Sequence, residues 1–124
     1  MRTVGKPTFH QRGYTRQWIQ QANEYRQHHP LCLGCWAVGL QRETDCVDHV
    51  IPHEGDQALM WDEGNWQPAC FWHHNSIKAL LERQWRQGKL KAADLHLNSK
   101  AAVDLTKKLH RPVVGVDGFY VPGT

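Results

Sequence analysis

Two short cysteine and histidine pairs constrain this chain more than anything else in it. Cys32-Leu33-Gly34-Cys35 and Cys70-Phe71-Trp72-His73 each place two metal-ligating side chains three positions apart. Together they supply the four soft or borderline donors that tetrahedral zinc takes when protein fills every position. Zinc is bound by the thiolate, so the ion adds folding free energy that is lost on chelation or acidification. A single domain of 124 residues has a thin core, which such a staple relieves. The compartment agrees. No apolar run approaches the roughly 20 residues of a bilayer span, residues 1–14 hold no apolar export region, and a cytoplasmic protein is expected. In a reducing cytosol, paired cysteines turn towards metal instead of disulfides. Cys46 stands alone and reads as a small packing residue, or as a rival for one ligand position. His74 follows His73 directly, and spacing favours His73 for zinc without excluding the reverse.

Around the knuckles the chain reads as α+β. Residues 1–13 carry Arg2, Lys6 and Arg12 among glycines and Pro7, the composition of a flexible basic N-terminal arm. The folded domain is then 14–124, with a core at 30–87 and a C-terminal extension at 88–124. Thr15 is a natural N-cap, and Trp18, Ile19, Ala22 and Tyr25 recur at helical spacing until Pro30, which predicts a helix over 15–28. Gly34 offers the left-handed backbone that a tight knuckle often needs. Residues 46–51 are β-rich and stop at Pro52. Turn formers make 52–64 a loop, and 65–70 forms the returning strand with Pro68 at an edge or bulge. Ile77, Leu80, Leu81, Gln84 and Trp85 then mark a second helix that Gly88 ends. Residues 90–97 fit either class, and Ser99 caps a third helix carrying Ala102, Leu105 and Leu109. The stretch 113–121 reads as a short strand or ordered tail. Trp66, Trp72 and Trp85 are assigned to packing. Six Trp, three Tyr and three Phe give bulk enough to exclude a disordered class. A net charge of +3 suits a polyanionic partner without selecting one.

Thirty-four residues separate the knuckles, far more than the dozen or so that join the ligand pairs of a DNA-reading zinc finger. The insertion holds Asp48-His49 on the first strand and Asn65 opening the second, while His74 lies just past the second knuckle. This order resembles the HNH endonuclease family, whose core is a ββα-metal motif. The residues that carry the resemblance are Asp48-His49-Val50-Ile51-Pro52-His53, Asn65-Trp66-Gln67 and Cys70-Phe71-Trp72-His73-His74-Asn75. The stretch from Arg12-Gly13-Tyr14 to His29-Pro30-Leu31-Cys32 is similar to small phage-type members, and the likeness covers roughly 12 to 86.

The resemblance implies a zinc-stapled HNH core that hydrolyses phosphodiester bonds in DNA, double-stranded DNA foremost. It makes His49 the general base, and Asp48 and His74 the ligands of a catalytic divalent ion (Mg2+, Mn2+ or Ni2+). Asn65 would hold His49 in place by bonding backbone across the loop. It also implies phage DNA packaging, with the large terminase subunit as a partner. The chemistry is coherent: an imidazole titrates near neutrality, and a hard cation offsets charge building on phosphate. Adjacent strand residues face opposite ways, so Asp48 and His49 can serve one site only if the strand is distorted. His53 and Lys78 are candidate phosphate contacts, Lys78 because it lies one helical turn after His74. A protonated Lys78 cannot ligate metal, so Asn75 or water has to complete the shell. The alternative is a non-catalytic zinc-knuckle module that binds nucleic acid. A zinc deaminase is excluded by the missing His-x-Glu and Pro-Cys-x-x-Cys. A HExxH protease is excluded because Gln57 stands where the second histidine belongs.

Overall fold

The computed structural model describes residues 15–109, 113–114 and 120–121. The arm expected over 1–13 lies outside the described residues, as does most of the tail expected over 113–121. Helix α1 (Arg16–His28) starts where the Thr15 hydroxyl accepts the Trp18 N–H at 3.3 Å and stops before Pro30. A one-turn helix, α2 (Leu33–Trp36), follows at the first knuckle, capped by the Cys32 sulfur. Strand β1 (Cys46–His49) pairs antiparallel with β2 (Trp66–Ala69) in the register Cys46↔Ala69, Val47↔Pro68, Asp48↔Gln67 and His49↔Trp66. With two strands each is an edge, so the missing N–H of Pro68 breaks no ladder.

The segment between the strands is not the plain loop that its turn formers suggest. It contains helix α3 (Gln57–Trp61) and a 3-10 turn, Glu63–Asn65. Asp56 accepts the Ala58 and Leu59 N–H groups, Asp62 accepts that of Gly64, and Met60 is fully buried between them. Two capping aspartates around one buried side chain outweigh the turn propensity of the stretch. Past β2 the chain becomes helical at residue 71. It passes through a π turn, His73–Ile77, into α4 (Lys78–Arg86), which ends at Gly88 with φ of +79°. The ambiguous stretch resolves as a 3-10 turn, Ala92–Leu95, with Leu95 and Leu97 buried. Helix α5 (Lys100–Leu109) starts under the Ser99 hydroxyl, which accepts the Ala102 N–H at 3.1 Å. Two short strands, β3 (Val113–Val114) and β4 (Tyr120–Val121), pair antiparallel.

The hairpin β1–β2 divides the core. On one face Ala69, Val50, Ile77, Leu81, Leu95, Leu97 and Ala102 pack together, with Cys46 against them. On the other, Val47 packs with Trp18, Met60 and Trp66, and this cluster fixes α1. Trp72 and Trp85 pack against the first cluster, as assigned. Because side chains alternate along a strand, Asp48 faces α4 and the C-terminal extension, whereas His49 faces α1.

Candidate metal centre and histidine site

Cys32, Cys35, Cys70 and His73 converge in a fully buried cluster, their ligand atoms all within 4.8 Å of one another. The Cys35 and Cys70 sulfurs are 3.8 Å apart, and His73 Nδ1 lies 3.6, 3.5 and 3.5 Å from the sulfurs of Cys32, Cys35 and Cys70. Tetrahedral bonds of about 2.3 Å to sulfur and about 2.0–2.1 Å to nitrogen give edges of about 3.8 Å between sulfurs and about 3.6 Å between sulfur and nitrogen. The residues therefore fit structural zinc. Each knuckle also turns a backbone N–H onto its first sulfur, Cys35 N onto Cys32 and His73 N onto Cys70. Contacts from Cys32 and Cys70 push the Cys35 thiol up, while Cys32 and Cys35 hold Cys70 down. Three crowded sulfurs share protons unequally, and a divalent cation relieves that crowding.

Cys46 takes no part. It is half-buried, its sulfur 3.6 Å from the Ala69 carbonyl, and burial followed by the charges of Asp48 and Asp45 pushes its thiol up to about 12. Gly34 has a right-handed backbone inside α2, contrary to the left-handed expectation. Glycine is needed for another reason: a Cβ there would fall inside the van der Waals envelope of the His73 ring.

Between His73 and His74 the cluster takes His73. His74 points instead at Asp48, its Nδ1 2.7 Å from Oδ1. Asp48 is 1% exposed, and its other oxygen receives the Gln67 amide at 2.8 Å and the Lys78 ammonium at 3.1 Å. Burial works against the Asp48 charge, but the His74 hydrogen bond, Lys78 and Gln67 outweigh it and hold the carboxyl low. The same hydrogen bond to Asp48 raises His74 against partial desolvation. Gln67 is buried and further held by the Leu97 N–H and Leu95 carbonyl, at 2.9 and 3.2 Å.

Lys78 differs from the phosphate contact expected of it. It is 1% exposed, and its ammonium donates to the His49 carbonyl at 2.6 Å and Glu82 at 2.8 Å besides facing Asp48. Three donors committed inside the protein leave none for a ligand. The π turn, closed by the Lys78 N–H on the His73 carbonyl, widens the helix here and aims His73 and His74 at separate partners.

Across β1, His49 is 9% exposed and stacks on Trp18, ring centroids 5.2 Å apart. Its Nε2 lies 3.0 Å from the Met60 carbonyl, which also accepts the Trp66 indole N–H at 2.7 Å. A carbonyl can only accept, so Nε2 carries the hydrogen and Nδ1 keeps its lone pair. Burial lowers the His49 pKa, and the nearby His53, ring centroid at 4.7 Å, lowers it further against the Met60 bond. The Asn65 side chain accepts the Ile51 N–H and donates to the Ile51 carbonyl, both at 2.9 Å, and to the Leu59 carbonyl at 3.3 Å. It closes the segment that carries Met60. The distorted strand is not found: β1 keeps a regular register, so Asp48 and His49 leave it on opposite faces and the chain bends only beyond His49.

For a second, hard cation, Asp48 Oδ1 and His74 Nδ1 supply two donors. At 2.7 Å the two atoms are hydrogen-bonded to each other, so an ion taken up here would have to displace the His74 proton. Among the described residues the Cys3His cluster is the one group of three or more potential metal ligands, so water and substrate would have to supply the other positions. Magnesium often binds in that way. Among the described residues no helix is long and apolar enough to cross a membrane. No family model, curated protein or solved structure compared with this chain matches it.

Proposed function

We propose that this protein is a metal-dependent endonuclease with an HNH-like, zinc-stapled core, cutting the phosphodiester backbone of DNA. One observation carries the reading. Asp48 and His74 present an oxygen and a nitrogen 2.7 Å apart, on a hairpin and helix that the Cys3His cluster clamps together, with the neutral imidazole of His49 on the adjoining residue. A divalent ion held by Asp48 Oδ1 and His74 Nδ1 would offset negative charge on the phosphate as it is attacked. The chain does the rest. Asp48 and His49 leave the regular β1 on opposite faces, so the reading requires the strand end to bend as substrate binds; His49 Nδ1 then takes the proton of the attacking water while Nε2–H stays on the Met60 carbonyl, whose segment Asn65 fixes. Gln67 and Lys78 hold Asp48 so that Oδ1 alone is presented. His53, whose ring lies 4.7 Å from that of His49, would contact the phosphate in this reading.

A nucleic-acid-binding module without chemistry is the second reading, favoured by the Lys78–Asp48 pair, since a carboxylate already neutralised needs no ion. Cleavage separates the two. Wild type is expected to nick plasmid DNA with added magnesium, manganese or nickel. His49→Ala is expected to lose about 10²–10⁴-fold in rate with its zinc and melting temperature retained. Equal cleavage by the variant, or none by wild type with any of the three ions, would refute the nuclease reading.

A further inference from the structure

We propose that Thr106, on α5, sets the proton and the orientation of the zinc ligand His73, so that the metal centre docks the C-terminal helix. The inference rests on the zinc centre and is independent of the nuclease reading. His73 is fully buried with Nδ1 facing three sulfurs, and its Nε2 lies 3.1 Å from the Thr106 hydroxyl. That hydroxyl has one proton, aimed at the Ala102 carbonyl 2.8 Å away, one turn earlier in the same helix. With the proton used there, Oγ1 can only accept from His73. The hydrogen of the imidazole then belongs on Nε2, and the lone pair on Nδ1 faces the sulfurs. Gly34 closes in on the ring from α2, where a side chain would collide with it. The ring is thus clasped by a glycine of the first knuckle and by a hydroxyl thirty-three residues beyond His73.

A ligating histidine bonded through its other nitrogen is fixed in tautomer and angle, and loss of such a partner typically lowers metal affinity 10–100-fold. Thr106 is 3% exposed, so water does not readily substitute for it. Valine matches threonine in shape but would leave a buried N–H without an acceptor. Serine keeps the acceptor. A purely packing role predicts the reverse order, with valine tolerated better than serine.

The test uses the full chain. Zinc affinity is measured by chelator competition, and the cobalt-substituted protein is examined by absorption spectroscopy. Thr106→Val is expected to bind zinc about 10–100-fold more weakly and to shift the cobalt ligand-field bands, while Thr106→Ser recovers most of the affinity and the wild-type spectrum. Hydrogen exchange on wild type supplies a check that needs no variant: chelation should speed exchange across Lys100–Leu109. Wild-type affinity and spectrum in Thr106→Val, serine faring no better than valine, or α5 exchange unmoved by chelation would each overturn the proposal. Wild type purified without zinc, and taking up none, would remove the centre on which it stands.

Discussion

His49 and His74 sit on either side of one strand end, yet their surroundings push them in opposite directions. His49 is desolvated and lies beside His53, which together outweigh its bond to the Met60 carbonyl, so its proton leaves more readily than from an ordinary imidazole. His74 faces the Asp48 carboxylate and holds its proton more tightly. In the proposed site a divalent ion must displace the His74 proton, whereas His49 must already be neutral. Ion affinity should therefore rise with pH across a range above the ordinary imidazole value of about 6.5. The rate at saturating ion should hold steady until below that value. Cleavage measured against manganese at a series of pH values checks this; a maximal rate that falls while the manganese requirement stays constant would reverse the two assignments. The sequence made these histidines visible because they stand beside Asp48 and beside the second knuckle. It could not display Gln67 or Thr106. Their roles depend on strand register and on a helix packed from far along the chain, and no local pattern encodes either.

At the level of elements, the zinc knuckles, the hairpin and the helix caps were legible because each has a short-range signal: ligand spacing, β-branched runs, Thr15 and Ser99. Helix α3 and the π turn were not, since one depends on burying Met60 and the other on aiming two adjacent histidines at different partners. Lys78 illustrates the limit. Helical spacing put it on the His74 face, and there it joins α4 to the end of β1 through Asp48 and the His49 carbonyl. Removing one partner of a buried ion pair typically costs about 3–5 kcal/mol. Lys78→Ala is expected to destabilise by about that amount in denaturant unfolding, with the salt dependence of DNA binding unaltered. A stable variant with a flatter salt slope would return Lys78 to the phosphate backbone.

Across the whole molecule, two centres share one short span of chain. The Cys3His cluster joins α2 to the helical turn that leads into α4, and through Thr106 to α5, so the elements around the hairpin are tied together. Asp48, His49 and His74 lie on the framework so formed, His74 directly after a zinc ligand. In the proposed reading one centre supplies structure and the other chemistry, and the two should be separable. The direct measurement is plasmid cleavage by zinc-loaded protein as manganese is added, with bound zinc quantified, for wild type and His74→Ala. Wild type should cut only when manganese is present, and His74→Ala should keep one zinc per chain while losing most of its cleavage. Cleavage by His74→Ala at the wild-type rate, or loss of its zinc, would contradict the division of labour between the two histidines.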